Sequence, residues 1–230
     1  MHPDLLQLSA ADAEERALKA CDRAIVVANE RLEGAKKALT LAEVAETTTA
    51  AALAALRDAE RQLQREIEGY RANRLAAVRM LESGVGNADA AERQRQRSEA
   101  LIDEAETRQI ENLEAQDPAR AAYQRAAMAL DAARKLLAVS AAEVPEEVAR
   151  QTAAHALHLV GRDAALVPLD PQTRQRYLLL VQRKGTAVAA IRKECCASCQ
   201  ITVYQQHLTD IRRGLIEPCK GCGRWLVPAT

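Results

Sequence analysis

A chain of 230 residues with no phenylalanine and only 2% aromatic side chains lacks the rings that fill most globular cores. Its 32 basic and 32 acidic residues balance, which removes any overall electrostatic pull towards nucleic acid or an anionic membrane. The apolar share is mostly Ala and Leu among Arg, Glu and Gln, a composition of long helices or coiled coil.

The amino-terminal stretch shows no basic segment followed by an apolar run, so no signal peptide is expected. No unbroken apolar run of about eighteen residues predicts a membrane span. A cytoplasmic location is the default expectation, and cysteines grouped as CxxC pairs suit it.

From Leu18 the sequence steps by sevens through Ile25, Leu32, Leu39, Glu46, Leu53, Glu60, Ile67, Arg74 and Leu81. A second series, three residues on, runs Cys21, Ala28, Ala35, Ala42, Thr49, Leu56, Leu63, Tyr70 and Ala77. This heptad phase predicts a helix with a narrow seam that another helix must bury. With no proline after Pro3, a helix of roughly 75 residues, on the order of 110 Å long, is expected. Gly34 and Gly69 lie off the seam and cost up to about 1 kcal/mol each relative to alanine. Thr47, Thr48 and Thr49 mark a soft spot. Glu46, Glu60 and Arg74 either snorkel from a thin coiled coil or pair across it and fix the register. Cys21 reads as a small buried hydrophobe.

Residues Ser83 to Asn87, with two glycines and an asparagine, predict a reversal. The return supplies Leu101, Ala105, Ile110 and Leu113, then Tyr123, Leu130 and Leu137. Asp117-Pro118 and Val144-Pro145 read as helix starts, so two or three helical pieces with kinks near 117 and 144 are expected. The two arms are nearly equal, which predicts an antiparallel hairpin over residues 1–167. His155 and His158 stand at a spacing metal sites use, but only Asp163 is near, so they read as surface or half-buried side chains.

Residues 168–230 form the second predicted domain. Asp170-Pro171 starts a short helix carrying Tyr177, Gly185 ends it, and residues 186–191 read as a strand. Cys196-Ala-Ser-Cys199 and Cys219-Lys-Gly-Cys222 are two chelating turns separated by 19 residues. Four thiolates in two such turns are the donor set of a structural zinc ribbon, with one zinc ion per chain. Short strands are expected at 201–204 and 225–227. A thiol-redox pair and a rubredoxin-like iron site are the competing chemistries. Cys195 is the spare cysteine, and His207 is a fifth candidate ligand. A closed four-thiolate site keeps no position for substrate, and no phosphate loop or nucleophile–base set stands elsewhere, so no enzyme is expected.

The order of parts, ending in Cys219-x-x-Cys222-Gly223-Arg224-Trp225, resembles the bacterial C4-type zinc-ribbon and long coiled-coil hairpin family of flagellar and type III secretion-associated adaptor-like proteins. The ribbon end, about residues 168 to 228, carries the specific motifs. The resemblance implies a cytoplasmic adaptor whose partners include an alternative sigma factor of RNA polymerase or export components. One flagellar member is associated with a messenger RNA. Only the four cysteines and Gly223 carry over as ribbon positions, and Trp225 departs from the smaller aliphatic residue common there.

The leading expectation is a mainly α, non-enzymatic adaptor that binds protein partners through the hairpin tip and the ribbon. Nucleic-acid binding is the alternative, using Arg212, Arg213 and Arg224 for phosphates and Tyr204 and Trp225 for bases. A purely structural coiled-coil rod is the third reading, and monomer or dimer stays open.

Overall fold

The computed structural model describes residues 2–84, 86–213 and 215–228, so Val85 of the expected reversal lies outside it. The chain forms α1 (Pro3–Ser83), α2 (Ala88–Leu166), α3 (Pro171–Lys184), β1 (Val188–Arg192), β2 (Cys195–Cys196), α4 (Gln205–Arg212) and β3 (Trp225–Pro228). It divides into two compact units, one of Met1–Leu32 with Ala141–Thr230 and one of Glu33–Ser140. The sequence suggests no such grouping.

In α1 the heptad series holds. Every seam position from Leu18 to Leu81 is buried or half-buried except Arg74, which reaches solvent. Thr47, Thr48 and Thr49 turn their hydroxyls onto the carbonyls of Glu43, Val44 and Ala45, so the helix continues through them. In unit Glu33–Ser140, Glu60 pairs across the seam: Gln116 Nε2 donates to its carboxylate at 2.8 Å and to Asn112 Oδ1 at 3.0 Å. Arg71 reaches Glu106 and Arg108 reaches Glu66, which sets the two helices antiparallel here.

The return differs from expectation. α2 is one helix of 79 residues that runs through both prolines. Pro118 and Pro145 sit on its exposed face, as do Glu114 and Ala141 four residues back, so each freed carbonyl meets water. Gln116 and Val144 beside them are buried on the seam and hold the helix in place. Because the seven-residue phase is never reset, the seam takes Ser98, Ile102, Ala105, Gln109, Asn112 and Gln116. Ile110 and Leu113, expected inside, are 58% and 45% exposed. One 18-residue window of α1 reaches the length and mean hydropathy of a weak candidate membrane span, although no unbroken apolar run is present. Alanines and leucines between scattered charges reach the average that an unbroken run would.

In the other unit the start of α1 enters a core that its sequence did not announce. Leu5, Leu8 and Ala11 pack with Leu166, Leu169, Tyr177, Ala187 and Trp225. One turn on, the Asp12 carboxylate, 1% exposed, accepts the N–H of Ala187 at 2.7 Å and of Val188 at 3.4 Å. Lys19 donates to the carbonyl of Gly185. The start of α1 is thereby fastened to the start of β1. His155 and His158 face Asp22 and Glu14, the latter pair at 2.6 Å. α3 follows its sequence: Asp170 caps Gln172 and Thr173, and Gly185 closes the helix at φ +80. Arg174 satisfies the carbonyls of Leu166, Val167 and Leu169 at the end of α2.

The sheet has the order β2-β1-β3, with β1 antiparallel to β2 and parallel to β3. Val188 pairs with Trp225 and Ile191 with Cys196. The strand expected at 201–204 shrinks to a single bridge between Thr202 and Cys195.

Two outcomes follow from this packing. Asp12→Ala leaves the Ala187 N–H buried without an acceptor and is expected to cost about 1–3 kcal/mol in denaturant unfolding, whereas Asp12→Asn keeps an acceptor and costs less. Burial holds the Asp12 carboxyl above its ordinary value, against the Ala187 N–H and Arg16 that oppose it. The folded chain therefore binds that proton more readily than the unfolded chain, and the group's contribution falls as pH rises through its range. Asp12→Asn should remove that slope. Separately, Gly69 has open space where a Cβ would stand, so Gly69→Ala is expected to raise stability by about 0.5–1 kcal/mol, read from the denaturation midpoint.

Candidate metal centre

Each CxxC turn begins at the end of a short strand or bridge, and the two are built alike. In the first, Gln200 N–H donates to Cys196 O at 2.7 Å and Cys196 N–H donates to Ile201 O at 3.0 Å. In the second, Gly223 N–H donates to Cys219 O at 2.8 Å and Cys219 N–H donates to Arg224 O at 2.8 Å. The fifth residue of each turn has positive φ, +60 at Gln200 and +71 at Gly223. Glycine takes that conformation freely, whereas glutamine takes it at a cost. A Cβ at Gly221 would meet the tip of the exposed Ile201 side chain, Cδ1, which is free to turn aside.

The result brings the sulfurs of Cys196, Cys199, Cys219 and Cys222 within 4.8 Å of one another. Cys196 Sγ lies 3.8 Å from Cys222 Sγ, and Cys199 Sγ lies 3.5 Å from Cys219 Sγ. A tetrahedral ion with metal–sulfur bonds of about 2.3 Å sets its ligand sulfurs about 3.8 Å apart. The four thiols therefore fit a metal ion without rearrangement. Burial pushes the Cys196 thiol up to about 12, against the N–H groups of Cys199 and Ser198 that lower it. At Cys222 burial is outweighed by the Arg224 N–H, the Arg224 side chain and the neighbouring sulfurs, which bring it down to about 7. The cluster thus offers a thiolate near neutral pH, and a bound cation would displace the remaining protons.

Cys195 stands apart in β2, its sulfur 4.0 Å from Thr202 Oγ1. His207, weighed as a fifth ligand, faces Glu217 instead, at 3.2 Å. The cluster sits among Ala189, Val203, Leu208, Ile211 and Leu226. Of these, Leu208 and Ile211 come from α4, a helix the sequence reading overlooked. Its signal is one i,i+3 apolar pair after Tyr204, which caps it without a side-chain hydrogen bond.

The residues expected to meet a partner are placed very differently. Trp225 is buried in the core below the sheet, with the Arg176 guanidinium 5.2 Å from its ring centre. Arg224 spends its guanidinium on the carbonyls of Thr186, at 3.0 Å, and Lys184, at 2.7 Å. Arg176 donates to Gly223 O and Lys184 donates to Cys222 O, so the second turn is moored to α3. These two side chains act inside the fold because β3 must pack back onto β1 and α3. Tyr204, Arg212 and Arg213 are exposed.

Substitution separates these roles. Cys196→Ser is expected to abolish stoichiometric metal binding and unfold the ribbon, while Cys195→Ser leaves metal content unchanged, as elemental analysis of the purified chains would read.

No protein-family model matches the chain, and no curated protein does. Among solved structures, the CT398 protein of Chlamydia trachomatis aligns at a TM-score of 0.68 and 16% identity, covering 98% of this chain and 98% of that one. The HP0958 protein of Helicobacter pylori aligns at 0.60 and 14% identity, covering 98% of this chain and 97% of that one. A coiled-coil segment of Smc from Pyrococcus yayanosii aligns at 0.54 and 17% identity over 75% of this chain and 71% of that one. These likenesses give the fold: two long packed helices followed by a small, cysteine-bearing region of short strands.

Proposed function

We propose that this chain is a non-enzymatic, zinc-containing adaptor of the coiled-coil and C4 zinc-ribbon type that it resembles, with the ribbon as its protein-docking head. One observation carries the reading. Around the cysteine cluster, Val203, Leu208, Ile211 and Leu226 turn inward, while Ile201, Tyr204 and Leu215 are 48%, 70% and 52% exposed. A module this small that leaves three large apolar side chains in water presents a surface for a partner. Ile201 and Tyr204 also line one shallow cavity of about 180 Å³ with Pro218 and Lys220.

Zinc suits the four thiolates because it has no redox chemistry and accepts tetrahedral sulfur coordination, so one ion per chain serves as a closed staple. The reading of nucleic-acid binding is weakened by Arg224 and Trp225, which are engaged within the fold. Arg212, Arg213 and Tyr204 remain for it. By resemblance, a sigma factor or a secretion-export component in the cytoplasm is the partner to test first.

The test is capture from the native host with the full chain, beside Ile201→Ser/Tyr204→Ala and Arg212→Ala/Arg213→Ala variants. A protein held by the native chain and lost from the Ile201/Tyr204 variant at one zinc per chain supports docking through this face. Retention on nucleic acid at low salt that vanishes in the double arginine variant establishes the alternative instead.

A further inference from the structure

We propose that His207, Asp210 and Glu217 form a second, open site for a divalent transition-metal ion, separate from the cysteine cluster. His207 and Asp210 lie three residues apart on α4 and so share one face of that helix. Glu217 comes from the segment that leads into the second cysteine turn. One ligand atom from each of the three falls within 4.8 Å of the others. All three side chains are half-buried.

The charge at this place is unbalanced. Glu15 faces both Lys19 and Arg162, whereas Glu217 has, among the described residues, only the His207 imidazole as a side-chain partner, 3.2 Å away. Asp210 makes no side-chain hydrogen bond or ion pair among the described residues. No Lys or Arg pairs with either carboxylate among those residues. Two carboxylates this close repel each other, and a cation between them would remove that cost. One imidazole and two carboxylates are a nitrogen–oxygen set that first-row divalent ions accept, with water in the remaining positions. The Tyr204 ring stands 6.3 Å from the His207 ring and limits its orientation.

Such an ion ties α4 to the segment entering the second cysteine turn, next to the exposed Tyr204. With three protein ligands it exchanges with solvent, unlike an ion enclosed by four thiolates. The site does not depend on the docking reading, and its test counts the two metals separately.

Full-length chain holding one zinc is titrated with Zn²⁺ by calorimetry, in parallel with Asp210→Asn and His207→Ala. A second equivalent should bind the native chain, and each variant that still holds its first zinc should bind it about tenfold or more weakly. The proposal is overturned if the native chain takes up no second equivalent at millimolar Zn²⁺, or if both variants bind it as the native chain does. Among the described residues the Asp210 side chain has no partner to lose, so Asp210→Asn is the variant least able to disturb the fold, and its first-zinc content verifies this.

Discussion

Four sulfurs drawn within 4.8 Å of one another are the constraint on which the carboxy-terminal module depends. Its strands hold five, two and four residues, and three of the eight buried residues around the cluster are cysteines. A module of about 45 residues with so little apolar area does not order itself by burial alone. Joining the two cysteine turns fixes β2 against β1, places the segment before β3, and gives Leu208 and Ile211 something to pack on. α4, the cavity beside Tyr204 and the exposed Ile201 all take their positions from that closure. A metal ion held by these sulfurs would make folding of the module and metal affinity one free energy, because the site does not exist in the unfolded chain.

The module also leans on a second core in the same unit. Tyr177, Ala187 and Trp225 are buried against Leu5, Leu8 and Ala11 from the first turns of α1. Asp12 supplies what apolar packing cannot, an acceptor for the N–H groups at the start of β1. Without it those donors face a dry core. Arg176, Lys184 and Arg224 complete the mooring by donating to carbonyls of α3, of the second cysteine turn and of Thr186. The module is thus held to α3 largely through backbone groups, and Ile201, Tyr204 and Leu215 stay exposed on it.

Legibility in the sequence followed how far each feature is local. The α1 seam was readable because Leu and Ala mark it, and the caps of α3 because Asp170 and Gly185 act within a turn. The α2 seam was readable in part: Leu101, Ala105, Tyr123, Leu130 and Leu137 are buried or half-buried as expected, whereas Ser98, Gln109, Asn112 and Gln116 carry no apolar signal, and Gln116 finds its partner, Glu60, only across the helix pair. Pro118 and Pro145 were misread for a related reason: a proline stops a helix only where its freed carbonyl has nowhere to go, and that depends on which face packs. The cysteine spacing predicted the gathering of the four sulfurs. The positive φ at Gln200 had no residue to announce it, and the inward turn of Trp225 depends on β3 pairing parallel to β1 across the whole module.

The same contrast bears on function. Arg224 and Trp225 follow the last cysteine directly, and the strand that carries them is committed to the sheet. Tyr204 and Ile201 lie between the two cysteine turns, where Val203, Leu208 and Ile211 turn into the core and the side chains of Tyr204 and Ile201 stay exposed. In a small stapled module, the segments that close the staple must face inward, and the loop spanned by it is where side chains can be turned to other uses. Ile201, Tyr204, His207 and Asp210 all lie in that loop. Closure of the two cysteine turns at the base of the module therefore confines the chain's adaptable chemistry to one stretch, and an exposed tyrosine beside two carboxylates and an imidazole is what that stretch presents.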